Sequence, residues 1–280
     1  MKLLIAKYLG FCTGVNRAYN LAIKTAAKGE PVYMLGYLVH NQKVIDELKA
    51  KGVQTVKDLK EIPKGATGYL MISAHGLAPD AYEKARKIGL KMIDTTCPWV
   101  KKPQTLAKQL VDEGYHLIIV GDKNHTEVTG IMGWANNKAQ VIESVKDAKK
   151  VQPHEKLAVI AQTTQSMKNF EDVVNALAKK TAEIKMFNTI CDATSKMQRS
   201  AMDVAKRAEV MLVIGDAKSA NTRRLKELCD DTGAKTYQID SADALDLNLL
   251  KGFDIIGLTA GASTPARVIE EVIAKLKGNR

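Results

Sequence analysis

Three cysteines in this chain stand at one fixed distance from three glycines. Cys12, Cys97 and Cys191 precede Gly36, Gly121 and Gly215, each by 24 residues. Each glycine closes an aliphatic run, in "YMLGYLVHN", "IIVGDKNHTE" and "LVIGDAKSAN", and each stands four residues before a polar side chain, His40, His125 or Ser219. A further signature recurs downstream. There "LMISAHGLAP", "AVIAQTTQS" and "GLTAGASTP" bring His75, Thr163 with Thr164, and Ser263 to the end of another aliphatic run. A spacing kept three times means that one supersecondary unit is used three times.

The aliphatic runs alternate with amphipathic helical patterns such as "NQKVIDELKA", "NTRRLKELCDD" and "PARVIEEVIAKL", which predicts an α/β chain with mostly parallel sheets. Each repeat reads as a three-strand unit. The expected boundaries are 14–97, 98–190 and 191–280, the last completed by an N-terminal strand within 1–13. Three similar units with pseudo-threefold symmetry would gather the recurring polar residues around one centre, at the C-terminal ends of strands where open α/β sheets bind ligands.

Composition narrows the function. The chain has 280 residues, 45% hydrophobic and 26% charged, enough for a sizeable core. "MKLLIAKYLGF" holds only a short apolar run between Lys2 and Lys7, and no later segment resembles a membrane span. The expectation is a cytoplasmic protein with no membrane contact, where four cysteines are reduced thiols, metal ligands or catalytic groups rather than disulfides. The net charge of +11 suits nucleic acid, a phosphorylated small substrate or an acidic protein partner. With 5% aromatic residues and no helix-turn-helix or RNA-recognition signature, nucleic acid is not expected as a partner. No dinucleotide fingerprint, phosphate-binding P-loop or zincin motif occurs.

A lone thiol ordinarily packs as a small hydrophobe, but valine or alanine would serve a core as well, and packing gives no reason for a 24-residue recurrence. A shared centre does. Cys12, Cys97 and Cys191 are therefore candidate metal ligands, while Cys229, inside "RLKELCDD", lies outside the pattern and reads as structural. Three thiolates suit a Cys3His zinc site completed by His125, or a 4Fe-4S cluster with one iron open to substrate. The surrounding polar residues, His40, Asn41, His75, Ser219, Asn221 and Ser263, favour the cluster, because hydrogen-bond donors at helix N-termini hold a phosphate or diphosphate. His116 and His154 have no counterpart in the repeats and read as ordinary surface or core histidines.

Taken together, "GFCTGVNRA", "VHNQKVIDEL", "SAHG", "DTTCPWV", "NHTEVTGIMG", "AQTTQS", "ICDAT", "SANTRRL" and "TAGASTP" resemble the 4-hydroxy-3-methylbut-2-enyl diphosphate reductase family, from Cys12 to Ser263 and in the family's order. The resemblance implies three α/β units around a central iron-sulfur cluster held by Cys12, Cys97 and Cys191 with one open iron. It implies reductive removal of an allylic hydroxyl, giving isopentenyl and dimethylallyl diphosphate in the last step of the methylerythritol phosphate route. By the same resemblance Glu127 is the proton donor, Thr163 relays or positions that proton, and His125 lines the reacting end. The diphosphate falls to His40, His75, Ser219, Ala220, Asn221 and Ser263, and the electron donor is a ferredoxin or flavodoxin. Three positions depart from the family pattern: Thr126 replaces a proline, Ala220 a serine, and Lys196-Met197 an Asn-Arg pair. Two rival readings are a cluster-dependent reductive dehydratase acting on another substrate and a non-enzymatic metal sensor that binds nucleic acid.

Overall fold

The structure, a computed structural model, describes residues 2–278. The chain begins with β1 (Lys2–Ile5), α1 (Thr13–Ala26), β2 (Val32–Leu35), α2 (Gln42–Ala50), β3 (Val53–Val56), β4 (Tyr69–Ile72), α3 (Pro79–Lys87) and β5 (Lys91–Asp94). It continues through α4 (Pro98–Asp112), β6 (His116–Val120), α5 (Thr126–Trp134), β7 (Gln140–Ile142), α6 (Val145–Ala148), β8 (His154–Ala161), α7 (Met167–Leu177) and β9 (Thr181–Phe187). The last part holds α8 (Asp192–Ala205), β10 (Val210–Ile214), α9 (Ala220–Asp230), β11 (Lys235–Ile239), β12 (Ile255–Ala260) and α10 (Ala266–Gly278).

These strands form three four-stranded sheets, in orders β3-β2-β4-β5, β7-β6-β8-β9 and β11-β10-β12-β1. All pairings are parallel. The three orders are one topology, in which the strand ending at the repeated glycine lies second. The N-terminal β1 takes the place in the third sheet that β5 and β9 hold in the others, so a cysteine follows the same edge strand each time. The sequence reading of three-strand units is corrected to four. The strands it missed are β3, β7 and β11, whose polar, partly exposed residues ("VQTV", "QVI", "KTYQI") lack the unbroken apolar runs of central strands.

The repeated glycines have a backbone cause. Gly36, Gly121 and Gly215 donate their N–H groups to Val56, Ile142 and Ile239, each the last residue of the neighbouring strand, at 2.9, 2.9 and 2.8 Å. Gly36 has φ +73°, a conformation open mainly to glycine. At Gly121 the constraint is space, since a Cβ there would stand 2.8 Å from Gln162.

Two compact units emerge, one comprising Met1–Asn16, Val39–Val44 and Asp192–Arg280 and the other Arg17–Leu38 and Ile45–Cys191. In the first, alternate residues of β10 feed two cores. Val210, Leu212 and Ile214 pack with Leu258, Val268 and Val272, while Met211 and Val213 pack with Met197, Ala201 and Leu225. In the second, β6 does the same: Ile118 and Val120 join Val159, Phe170 and Val173, while Leu117 and Ile119 join Leu110, Val128 and Ile131. That period of two, with helices over both faces, leaves the strand ends as the natural place for chemistry. His116 and His154, which lack counterparts in the repeats, stack on each other with centroids 3.7 Å apart. Among the described residues no helix is long and apolar enough to cross a membrane.

Candidate active site

The three cysteines occupy equivalent places. Cys97 sits at the cap position of α4 with Pro98 at the first helical residue, and Cys12 and Cys191 immediately precede α1 and α8. In each copy the cysteine N–H is tied to the loop after the third strand: Cys97 to Ala74 O at 3.0 Å, Cys191 to Thr163 O at 3.0 Å, and Cys12 to Ala262 O at 3.3 Å. The same loops close with one turn, Gly76 to Ser73, Gln165 to Gln162 and Thr264 to Gly261. Thiol loop and polar loop are thus locked together within each sheet. This pairing makes Thr163 the counterpart of Ala74 and Ala262, and Thr164 the counterpart of His75 and Ser263.

Within the larger unit, α5 and the β8 loop build an acid. His125 caps α5, its Nδ1 accepting from the Glu127 N–H at 3.2 Å. The Glu127 side chain is 2% exposed. Its Oε1 accepts from the Thr163 N–H and its Oε2 from the Thr163 hydroxyl, both at 2.7 Å. Burial pushes the Glu127 carboxyl up to about 7, against those two hydrogen bonds, which pull it down; Asp122 adds a further upward push. A carboxyl poised there can carry a proton near neutral pH and pass it along the 2.7 Å contact to the Thr163 hydroxyl. His75 and His125 meet edge to face, ring centroids 5.5 Å apart. Thr163 is not the cap of α7; Ser166 is, accepting from Asn169 N at 3.2 Å.

The smaller unit carries the other polar residues. The Ser263 hydroxyl donates to the His40 carbonyl at 3.4 Å. Burial pushes the His40 imidazole below its ordinary value, aided by the positive charges of Arg223 and Lys218 and opposed by Asp216. Ser219 caps α9, accepting from Thr222 N at 3.4 Å, and Ala220 follows at the first helical position. Asn221 is 3% exposed, yet neither its amide nitrogen nor its oxygen has a hydrogen-bond partner among the described residues. A buried primary amide left unpaired costs free energy, and a polar ligand would remove that cost.

Two residues that the sequence reading did not single out matter. Gln162, 1% exposed, accepts from Asp122 N at 2.8 Å and donates to the Thr164 hydroxyl at 2.9 Å, tying the α5 entry loop to the β8 loop. Asp94 accepts from Thr96 N at 2.9 Å and from Lys101 at 2.8 Å, fixing the turn into Cys97. The sequence held a cue for each, in "AQTTQS" and "DTTCPWV", but no periodic signal marks a single bridging side chain.

Do the thiols fit a metal cluster? Cys12, Cys97 and Cys191 are half-buried thiols not joined in a disulfide, and each stands at the start of a helix, where the N-terminal N–H groups favour a thiolate. The Val15 N–H already points at the Cys12 sulfur at 3.4 Å. Cys229 is the contrast: wholly buried in α9, its thiol is pushed up to about 12 by burial, with Asp230 contributing. Thiols at helix starts are the donor type that an iron-sulfur cluster takes.

Fold and site together define a threefold-repeated parallel α/β protein with one thiol at the same place beside each sheet and a buried carboxyl, its pKa raised, at a helix start. The sequence profile of the LytB protein family matches residues 3–277. The 4-hydroxy-3-methylbut-2-enyl diphosphate reductase of Caldanaerobacter subterraneus subsp. tengcongensis is 43% identical over 281 residues, covering 99% of this chain and 97% of that protein. The solved E-1-hydroxy-2-methyl-but-2-enyl-4-diphosphate reductase of Plasmodium falciparum superposes with a TM-score of 0.94 at 30% identity, covering 99% and 88% of the two chains. A solved (E)-4-hydroxy-3-methyl-but-2-enyl diphosphate reductase, described as the terminal enzyme of the non-mevalonate pathway, gives 0.70 at 39% identity, covering 99% and 100%. The chain belongs to the LytB protein family.

Proposed function

We propose that the chain reduces 4-hydroxy-3-methylbut-2-enyl diphosphate to isopentenyl and dimethylallyl diphosphate. The reaction consumes two electrons and two protons, breaks the allylic C–O bond and releases the oxygen as water. The observation that carries this reading is the buried Glu127–Thr163 pair, an acid held near neutral pH in a chain whose 43% identical relative bears the reductase's name.

Cys12, Cys97 and Cys191 would hold a 4Fe-4S cluster, which when bound would relay the donor's two electrons one at a time and offer an open iron. The chain's own residues supply the rest. Glu127 holds a proton on its carboxyl, and the Thr163 hydroxyl passes it on or positions it. The carboxylate left after proton transfer would repel a diphosphate, so Glu127 serves the hydroxyl end of the substrate, with His125 beside it. His40, His75, Ser219, Ala220, Asn221 and Ser263 are the diphosphate side, where Asn221 offers an unpaired amide and Ser219 the start of a helix. The excess of positive charge favours an acidic ferredoxin or flavodoxin as electron donor, an attraction that added salt weakens. The reading places the enzyme in the cytoplasm.

The test is purification without oxygen, followed by iron and sulfide analysis, an optical spectrum, and turnover of the allylic diphosphate with a chemical reductant. Cluster absorption and formation of both products are expected. One equivalent of zinc with no charge-transfer absorption, or a cluster-loaded protein that leaves the substrate untouched, overturns the reading.

A further inference from the structure

The larger unit contains a cavity of about 840 Å³ that includes neither Glu127, Thr163 nor any cysteine. Its size falls within the range of small-molecule sites. Leu59, Leu77, Ala81 and Ile88 give it an apolar lining. Its charged lining residues are Lys57, Lys60 and Lys84 against the single acid Asp58, which leaves an excess of positive charge. Asp58 is already engaged, accepting from Lys60 N at 2.8 Å, and Lys84 pairs with Asp80 at 2.9 Å. No ion pair engages the Lys57 or Lys60 ammonium group among the described residues.

Two glycines keep the wall in shape. The buried Gln104 side chain stands behind Gly76 and Gly130, where a Cβ would lie 2.7 and 3.3 Å from its Nε2, so the wall stays closed on that side and the cavity opens past the lysines.

We propose that this cavity is a second binding site, for an amphiphilic anion with a hydrocarbon tail and a phosphate head. The tail fits the apolar lining, and the head fits the two unpaired lysines, which together attract an anion more than a neutral chain of the same length. Free phosphate would gain the charge but not the apolar burial.

The structure supplies a reporter. Trp134, at the end of α5, donates to the Leu77 carbonyl at 2.9 Å, and Leu77 lines the cavity. Trp99 is the only other tryptophan, so a Trp99→Phe holoprotein leaves Trp134 as the sole fluorescent indole. Titration with n-octyl phosphate should give a saturable Trp134 signal, with n-octanol and inorganic phosphate each at least tenfold weaker. Lys57→Glu combined with Lys60→Glu should weaken n-octyl phosphate at least tenfold, and Ala81→Phe should abolish the signal by filling the cavity. Should Ala81→Phe fail to fold, the lysine pair, on an exposed turn, decides alone. His40→Ala, in the active site, should leave the n-octyl phosphate affinity unchanged. No saturable signal, equal binding of octanol or of free phosphate, indifference to the lysine pair, or loss of binding in His40→Ala overturns the proposal.

Discussion

Helices α5 and α9 begin alike and do opposite things. Each follows a repeated glycine, Gly121 or Gly215. In each the cap residue's N–H bonds back three residues, His125 to Asp122 and Ser219 to Asp216, both at 3.0 Å. Two positions beyond each cap is a buried polar side chain, Glu127 or Asn221. Glu127 has both oxygens satisfied by Thr163, whereas Asn221 has neither polar atom satisfied among the described residues. One helix start is closed, its carboxyl paired with the loop of another strand. The other leaves a buried amide without a partner among the described residues. The repeat supplies a backbone that presents polar groups at strand ends, and under the proposed function the residue two beyond the cap sets whether that start serves acid chemistry or recognition.

The largest effect is expected where all three repeats agree. Serine at Cys12, Cys97 or Cys191 should each lose bound iron and sulfide together with turnover. Cys229→Ser should keep both, because that thiol lies in a helix interior and is pushed up to about 12 by burial. Iron, sulfide and activity assays on the four variants read this directly. Equal tolerance at all four would break the equivalence of the repeats.

Next comes the closed start. Glu127→Gln keeps shape and hydrogen bonding but removes the exchangeable proton. It should leave cluster content and substrate affinity intact while lowering kcat by about two orders of magnitude. The measurement is anaerobic steady-state kinetics with substrate binding followed separately. A parental rate would make the carboxyl structural.

The same carboxyl should shape stability. Its folded value of about 7 lies above the ordinary 4.5, so the folded state holds the proton more tightly than the unfolded one. That contribution is fully present below about pH 4.5 and is lost as pH rises through 7, by up to about 3 kcal/mol. Urea midpoints at pH 5 and pH 8, compared between the parent and Glu127→Gln, isolate it: the variant should lack this part of the slope. Asn221→Leu should keep it, since the open start does not titrate.

Much of this was legible in the sequence. Cysteine spacing and glycine position reflect strict backbone requirements, a positive φ at Gly36 and close approach at Gly121, so they persist as exact intervals. Apolar runs such as "VMLVI" are unmistakable because central parallel strands are buried on both faces. The edge strands β3, β7 and β11 were missed because half-exposed strands tolerate polar residues. Nor could spacing show that Thr163 closes on Glu127, 36 residues away, or that His116 and His154 stack. Those contacts are set by which strand lies beside which. The cavity beside α3 and α5 was invisible for the same reason, as its walls come from helices and loops scattered between Leu35 and Gly130.

The smallest effect, and the sharpest test of the comparison, is at Asn221. If its amide is unpaired because it serves a ligand, the protein without substrate bears a cost of about 1–3 kcal/mol for an unsatisfied buried polar group. Leucine has nearly the same shape and no polar atoms, so Asn221→Leu should leave the substrate-free protein as stable as the parent or more stable by about 1 kcal/mol. Substrate affinity should move the other way. Losing a hydrogen bond to a charged diphosphate should weaken binding about tenfold or more, with a smaller change in kcat once substrate saturates. Thermal unfolding without substrate and a binding titration with it give the two numbers. Opposite signs mean that the amide is held open for a ligand. Destabilisation with unchanged affinity would mean that Asn221 is a structural residue, and α9 would then be closed in its own way, as α5 is.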